Sequence, residues 1–131
     1  MKAQLNAYIQ SEDAREQAGF YAKAFGGQIV SVMTHGQLPD APADMQNKVM
    51  HLVLEVAGGN VLFLSDTFAS ASGGRAVSLA LNFADEEEAR EAFENLAGGG
   101  TVKFPFALQP WGAYHGEVED KYGIHWQIVK Q

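Results

Sequence analysis

This chain says nearly the same thing twice, and that repetition restricts the folds open to it more than any single motif does. The phrase "AREQAGFYAKAFGGQIV" in the first half is matched by "AREAFENLAGGGTV" in the second. Each follows a short alternating segment, "QLNAYIQ" (4–10) or "AVSLALNF" (76–83), with the period of two that marks a half-buried strand. In the first helix Ser11 is the expected N-cap, and Glu12 and Asp13 suit the positive end of the dipole. Ala14, Ala18, Tyr21, Ala22 and Phe25 recur near helical spacing, and Gly26-Gly27 is the stop. The strand "QIVSVMT" comes next, then the polar loop "HGQLPDAPADMQNK". "VMHLVLEVAGGNVLFLSD" closes the half as a hairpin around Gly58-Gly59.

The second half repeats this order. "ADEEEAREAFENLAGGG" is a helix with an acidic first turn, and "TVKFPF" is a short strand whose Pro105 calls for an edge position or an early end. "GAYHGEVEDKYGIHWQIVK" is a closing hairpin turning at "DKYG". The pattern predicts one α+β domain made of two β-α-β-β-β modules, 1–67 and 76–131, joined by a Gly/Ser-rich linker at 68–75.

Composition removes whole classes of function. There is no cysteine, hence no disulfide framework, thiolate metal site or cysteine nucleophile. Sixteen acidic against nine basic side chains, net −7, disfavour nucleic acid and anionic membranes as partners. No apolar run is long enough for a signal peptide or a membrane span, so a soluble, cytoplasmic protein is expected. "GGG" at 98–100 stops a helix without opening another, and "SGGR" at 72–75 is linker, so neither cradles a phosphate.

The chemistry-bearing residues collect on one strand face. In "YGIHWQIV", alternation places His125, Gln127 and Val129 together and Trp126 and Ile128 opposite. The face of His125 continues through Asn6, Tyr8, Phe63, Ser65, Ser78, Ala80 and Asn82. The other face, with Leu5, Ala7, Ile9, Val77, Leu79, Leu81 and Phe83, is apolar and should meet the helices. Neutral polar groups among aromatic rings suit a small organic molecule, or else satisfy one another in a closed space. "LQPWGAYHG" adds Trp111, Tyr114 and His115 as an aromatic loop, either a rim or lid for that face or a loop folding its rings over the sheet edge or into a subunit contact.

The repeated modules, with "FYAKAFGGQI", the "HGQLPD" loop, "HLVLEVAGGNVLFLSD" and "WGAYHGEVEDKYGIHWQI", resemble the PhnB-like branch of the vicinal oxygen chelate superfamily, which includes glyoxalase I, extradiol dioxygenases and bleomycin-resistance proteins. The resemblance implies a curled, mostly antiparallel eight-stranded cup with helices outside, and homodimers. In metal-dependent members of that superfamily a divalent ion is held from the first and last strand of each module. Those positions fall here on Asn6, Phe63, Ser78 and Gln127. A phenyl ring cannot ligate and no carboxylate remains, so the usual four-residue site is absent, and no metal or cofactor is expected.

The histidines offer alternatives. His51 and Glu55 lie roughly 13 Å apart along a strand, too far to share an ion. A tight turn at Gly58-Gly59 would set His51 opposite Asp66 on one face, as a cross-strand pair. His125 and Gln127, about 6.6 Å apart, would need His115 as a third ligand. The expected function is thus binding of a small organic molecule in the cup without metal. The alternatives are a metal-dependent lyase, isomerase or dioxygenase on a rebuilt histidine site, a metal-free acid–base catalyst using His115 or His125, and an interaction module with a closed cup.

Overall fold

The computed structural model describes residues 2–68 and 77–131. The chain divides into two compact units, Met1–Ala71 and Ser72–Gln131. The linker expected at 68–75 lies, apart from Phe68, outside the described residues, as does Ala76.

The first unit runs β1 (Ala7–Ser11), α1 (Ala14–Phe25), β2 (Gly27–Thr34), two 3-10 turns (His35–Gln37 and Ala43–Met45), β3 (Val49–Val56) and β4 (Asn60–Asp66). Its sheet has the order β1-β4-β3-β2, with β1 and β4 parallel and the other pairs antiparallel. The second unit runs β5 (Leu79–Asn82), α2 (Glu86–Ala97), β6 (Thr101–Leu108), β7 (Tyr114–Glu119) and β8 (His125–Lys130). Its order, β5-β8-β7-β6, is the same topology, again with one parallel pair. Two β-α-β-β-β modules in an α+β chain are therefore what the repeat encodes.

Alternation explains why each sheet holds a helix on one face only. Leu52, Leu54, Val56 and Leu64 are buried with Ile9, whereas the residues between them stay half-buried or exposed. Against this face α1 sets Ala14, Gln17, Ala18, Tyr21 and Ala24, one stripe at helical spacing. In the second unit Ala89, Ala92, Phe93 and Leu96 of α2 meet Val118, Trp126, Ile128 and Phe106. Each such large side chain contributes about 1.5–3 kcal/mol on burial. Gly116 permits the approach, since a Cβ there would lie 2.8 Å from both the Phe93 ring and Phe106 Cα.

Several boundaries differ from expectation. The first strand begins at Ala7 and includes Ser11, so α1 starts later and its N-cap is Asp13, whose Oδ1 accepts from Glu16 N at 3.1 Å. Ser11 Oγ instead accepts from Asp13 N at 3.1 Å. Leu5 and Val77 precede their strands and are exposed rather than packed on helices. Pro105 does sit in an edge strand, but β6 continues past it to Leu108 through a register shift between Phe104 and Ala107.

The hairpin turn carries the most consequential correction. It uses three residues, because Ala57 (φ 51°) joins Gly58 and Gly59 in positive-φ backbone and Val56 pairs with Asn60. That slips the register by one relative to a Gly58-Gly59 turn, which reverses the face each side chain meets. With Leu52 opposite Leu64, His51 falls level with Ser65, not Asp66. Asp66 turns inward: its Oδ1 accepts from Ala14 N and its Oδ2 from Val49 N, both at 2.7 Å. The expected His51–Asp66 pair does not form.

Candidate functional site

The helix-free face of the second sheet gathers the titratable groups. From β7 it receives His115, Glu117 and Glu119, and from β8 His125, Gln127 and Val129, since residues two apart share a side. The register sets His115 opposite Val129, Glu117 opposite Gln127, and Glu119 opposite His125. His115 Nε2 lies 3.1 Å from Glu117 Oε2. His125 Nε2 lies 3.8 Å from Glu119 Oε2, and Lys103 Nζ of β6 lies 3.5 Å from the same oxygen. Two imidazole–carboxylate pairs thus stand side by side, half-buried. Such pairs hold a ring in one orientation and leave its second nitrogen for a ligand proton.

Around them stand apolar rings. Phe104, directly opposite Glu117 on β6, meets the His115 ring edge-on at 5.9 Å, and Trp111 in the β6–β7 turn meets it at 6.4 Å. Ala80 and Asn82 of β5 pair with Gln127 and Val129, on the side opposite the carboxylates. Ser78 is exposed just before β5. Tyr114, expected beside His115, is on β7's other face. It stacks on Phe106 at 5.8 Å and hydrogen-bonds Glu86, which raises its pKa.

The corresponding face of the first sheet is aromatic. Tyr8 Oη lies 3.2 Å from His51 Nδ1, and the rings of Tyr8, His51 and Phe63 approach one another at 4.9–6.1 Å between centroids, all inclined. At these spacings the rings touch, so they make a platform and not an open cage. Ser65 Oγ lies 3.4 Å from the carbonyl oxygens of Val49 and Asp66, and Asn6 Nδ2 donates to Val61 O at 3.0 Å. A cavity of about 260 Å³ in this unit lies elsewhere, at the start of α1, lined by Glu12, Asp13, Arg15, Asp44, Asn47 and Lys48 among others. Its polar groups serve the fold: Asp13 caps the helix and Arg15 Nη1 donates to Asn47 O at 2.9 Å.

Sequence reasoning passed over Glu117, Glu119 and Lys103. The signal was present, because "HGEVE" alternates and carries both glutamates onto the side of His115. The cross-strand ion pair or hydrogen bond expected between His51 and Asp66 is replaced by ring contacts of His51 with Tyr8 and Phe63. Of the four positions where the resemblance would put metal ligands, Phe63 has no atom that can ligate, and Asn6 holds its Nδ2 against Val61 O. Among the described residues no group of three His, Asp or Glu side chains is arranged to hold a metal ion. The donor set does not fit the four-ligand site.

A family model described as 3-demethylubiquinone-9 3-methyltransferase matches residues 5–129. Protein PA1353 from Pseudomonas aeruginosa is 29% identical over 99% of this chain and 98% of its own, with a TM-score of 0.84. The PhnB protein from Bacillus cereus is 24% identical over 98% and 100% of the two chains, at 0.79. The fosfomycin resistance protein FosX from Listeria monocytogenes, solved with Mn(II) and sulfate, shares the fold at 0.70 with 11% identity, over 100% of this chain and 93% of that one.

Proposed function

This chain belongs to the PhnB-like family, with the fold of the glyoxalase/bleomycin resistance/dioxygenase superfamily, and from that membership we propose that it binds a small organic molecule on the helix-free face of its second sheet, without the four-ligand metal site. The observation carrying this reading is the side-by-side placement of His115–Glu117 and His125–Glu119 on the side of the sheet turned away from α2. Buried structural pairs would have their polar atoms satisfied inside the core; these are half-buried and flanked by Phe104 and Trp111, the mix of apolar area and a few polar groups that small-molecule sites use. Gln127 and Asn82 supply further neutral polar groups to the same sheet. The aromatic platform of Tyr8, His51 and Phe63 offers stacking area on the first sheet.

The methyl transfer in the family's description gains no support from the residues. Among the described residues no glycine-rich loop leads a strand into a helix, and the N-termini of α1 and α2 are occupied by the caps Asp13 and Asp85. The working form in this reading is a cytoplasmic homodimer. The exposed Ile29, Val30 and Met33 on edge strand β2 support self-association, which sedimentation analysis would test.

A fragment screen followed by 1H–15N NMR tests the reading. Fragments should shift the amides of β7 and β8; a screen whose hits all map elsewhere would sink it. The Mn(II) of FosX favours a second reading, a metal-dependent enzyme on a non-standard histidine site. Metal analysis of chelator-free protein separates the two: a stoichiometric transition metal supports the second.

A further inference from the structure

We infer that Glu117 anchors a protonated organic amine, so that the ligand of the second sheet's face is an ammonium carrying an apolar body; this rests on the small-molecule reading of that face. Of the two carboxylates there, Glu119 is matched by Lys103 at 3.5 Å. Glu117 is not: the basic group within ion-pair distance of it, among the described residues, is His115, which is charged only when protonated. A carboxylate in the interior of a sheet, without a lysine or arginine beside it, keeps a charge for an incoming cation to meet.

The surroundings specify the rest of that cation. Glu117 sits between Phe104 on one neighbouring strand and Gln127 on the other. Phe104 is 42% exposed and Trp111 67% exposed, and both rings lie edge-on to His115. Large aromatic residues left in water around the His115–Glu117 pair present apolar area next to negative charge, which complements an arylalkyl or alkyl ammonium. Gln127 can take a neutral polar substituent. A bare metal ion is served poorly by one carboxylate and one imidazole. An anion meets Glu117 unfavourably, and the chain's net charge of −7 steers anions away and cations in.

The test compares three probes of one shape by NMR titration: 3-phenylpropylamine, 3-phenylpropanol and 3-phenylpropionate. The amine should shift the amides of Phe104, Glu117 and Gln127, bind roughly threefold to tenfold more tightly than the alcohol, and the acid should bind least. Glu117→Gln should bring the amine's affinity down to that of the alcohol in the same variant, while Trp111→Ala should weaken both and keep the amine's advantage. Melting curves confirm that each variant folds. Equal binding of amine and alcohol in the unaltered protein would overturn the amine assignment while leaving small-molecule binding standing. So would no shift on this face with millimolar amine when other fragments do bind there.

Discussion

The two sheets have one strand order and one helix cover, yet their helix-free faces are different chemistry. The first carries touching neutral rings, Tyr8, His51 and Phe63. The second carries imidazole–carboxylate pairs and a lysine. Their helix-side faces do the same job with different side chains: alanines and a ring of each helix pack on Leu, Val and Ile in the first sheet and on Val, Ile, Trp and Phe in the second. Because side chains alternate, the residues that hold the fold and those that face away from the helix are different sets. A repeated module can therefore change one face entirely without disturbing the other.

If the buried faces are equivalent, damage to either should cost alike, and the largest damage is to the buried aspartates. Asp66→Ala strips Ala14 N and Val49 N of their acceptor; Asp120→Ala does the same to Tyr122 N, Ile124 N and the Trp126 indole N–H, which donates at 2.8 Å. Each variant should lose about 2–5 kcal/mol in urea unfolding. A loss below about 1 kcal/mol in one of them would show that water replaces that carboxylate, and the equivalence would fail there.

Next in size come Gly27 and Gly100, which occupy the same place in the two modules, where the chain leaves the helix for the edge strand. A Cβ at Gly27 would strike Glu55 O, and one at Gly100 would strike Glu119 O. Alanine at either should destabilise by roughly 1–3 kcal/mol, since backbone is what must move. Thermal melts of the two variants should fall together.

Much of this was legible in the sequence. Element order, both helix stops and the face shared by His125 and Gln127 follow from periodicity and glycines. What was not legible turned on single backbone conformations. Ala57 in left-handed backbone gives no composition signal, yet it resets β3–β4 and with it the surroundings of His51 and Asp66. Ser11 reads as a cap as well as Asp13 does, and only the pairing of Ser11 with Asp66 draws it into the strand. "LQPWGAYHG" reads as one aromatic loop, but strand β7 begins at Tyr114 and sends Tyr114 and His115 to opposite sides.

The outward faces should respond unequally. Phe63→Ala removes the ring that both Tyr8 and His51 touch and should cost about 1–2 kcal/mol. Glu117→Gln should stay within about 0.5 kcal/mol, because its charge serves no packing. Equal losses would mean that the second face is as structural as the first.

The smallest expected effect lies on the helix side of the second unit. Arg90, through a hydrogen bond at 3.0 Å, and next Tyr114 hold the Glu86 carboxyl below its ordinary value of 4.5, while Glu86 raises Tyr114 above 10.0. The signs follow from linkage. A carboxyl depressed in the folded state adds stability above its unfolded pKa and loses it as pH falls through the folded one. A phenol raised in the folded state adds stability below its unfolded pKa and loses it as pH rises through the folded one. A carboxyl NMR titration should place the Glu86 midpoint below 4.5, with Tyr114→Phe moving it part of the way back and Arg90→Gln moving it further. If neither variant moves it, the link from the start of α2 to β7 is a contact without electrostatic consequence, and Tyr114 faces the helix for the sake of its stack on Phe106 alone.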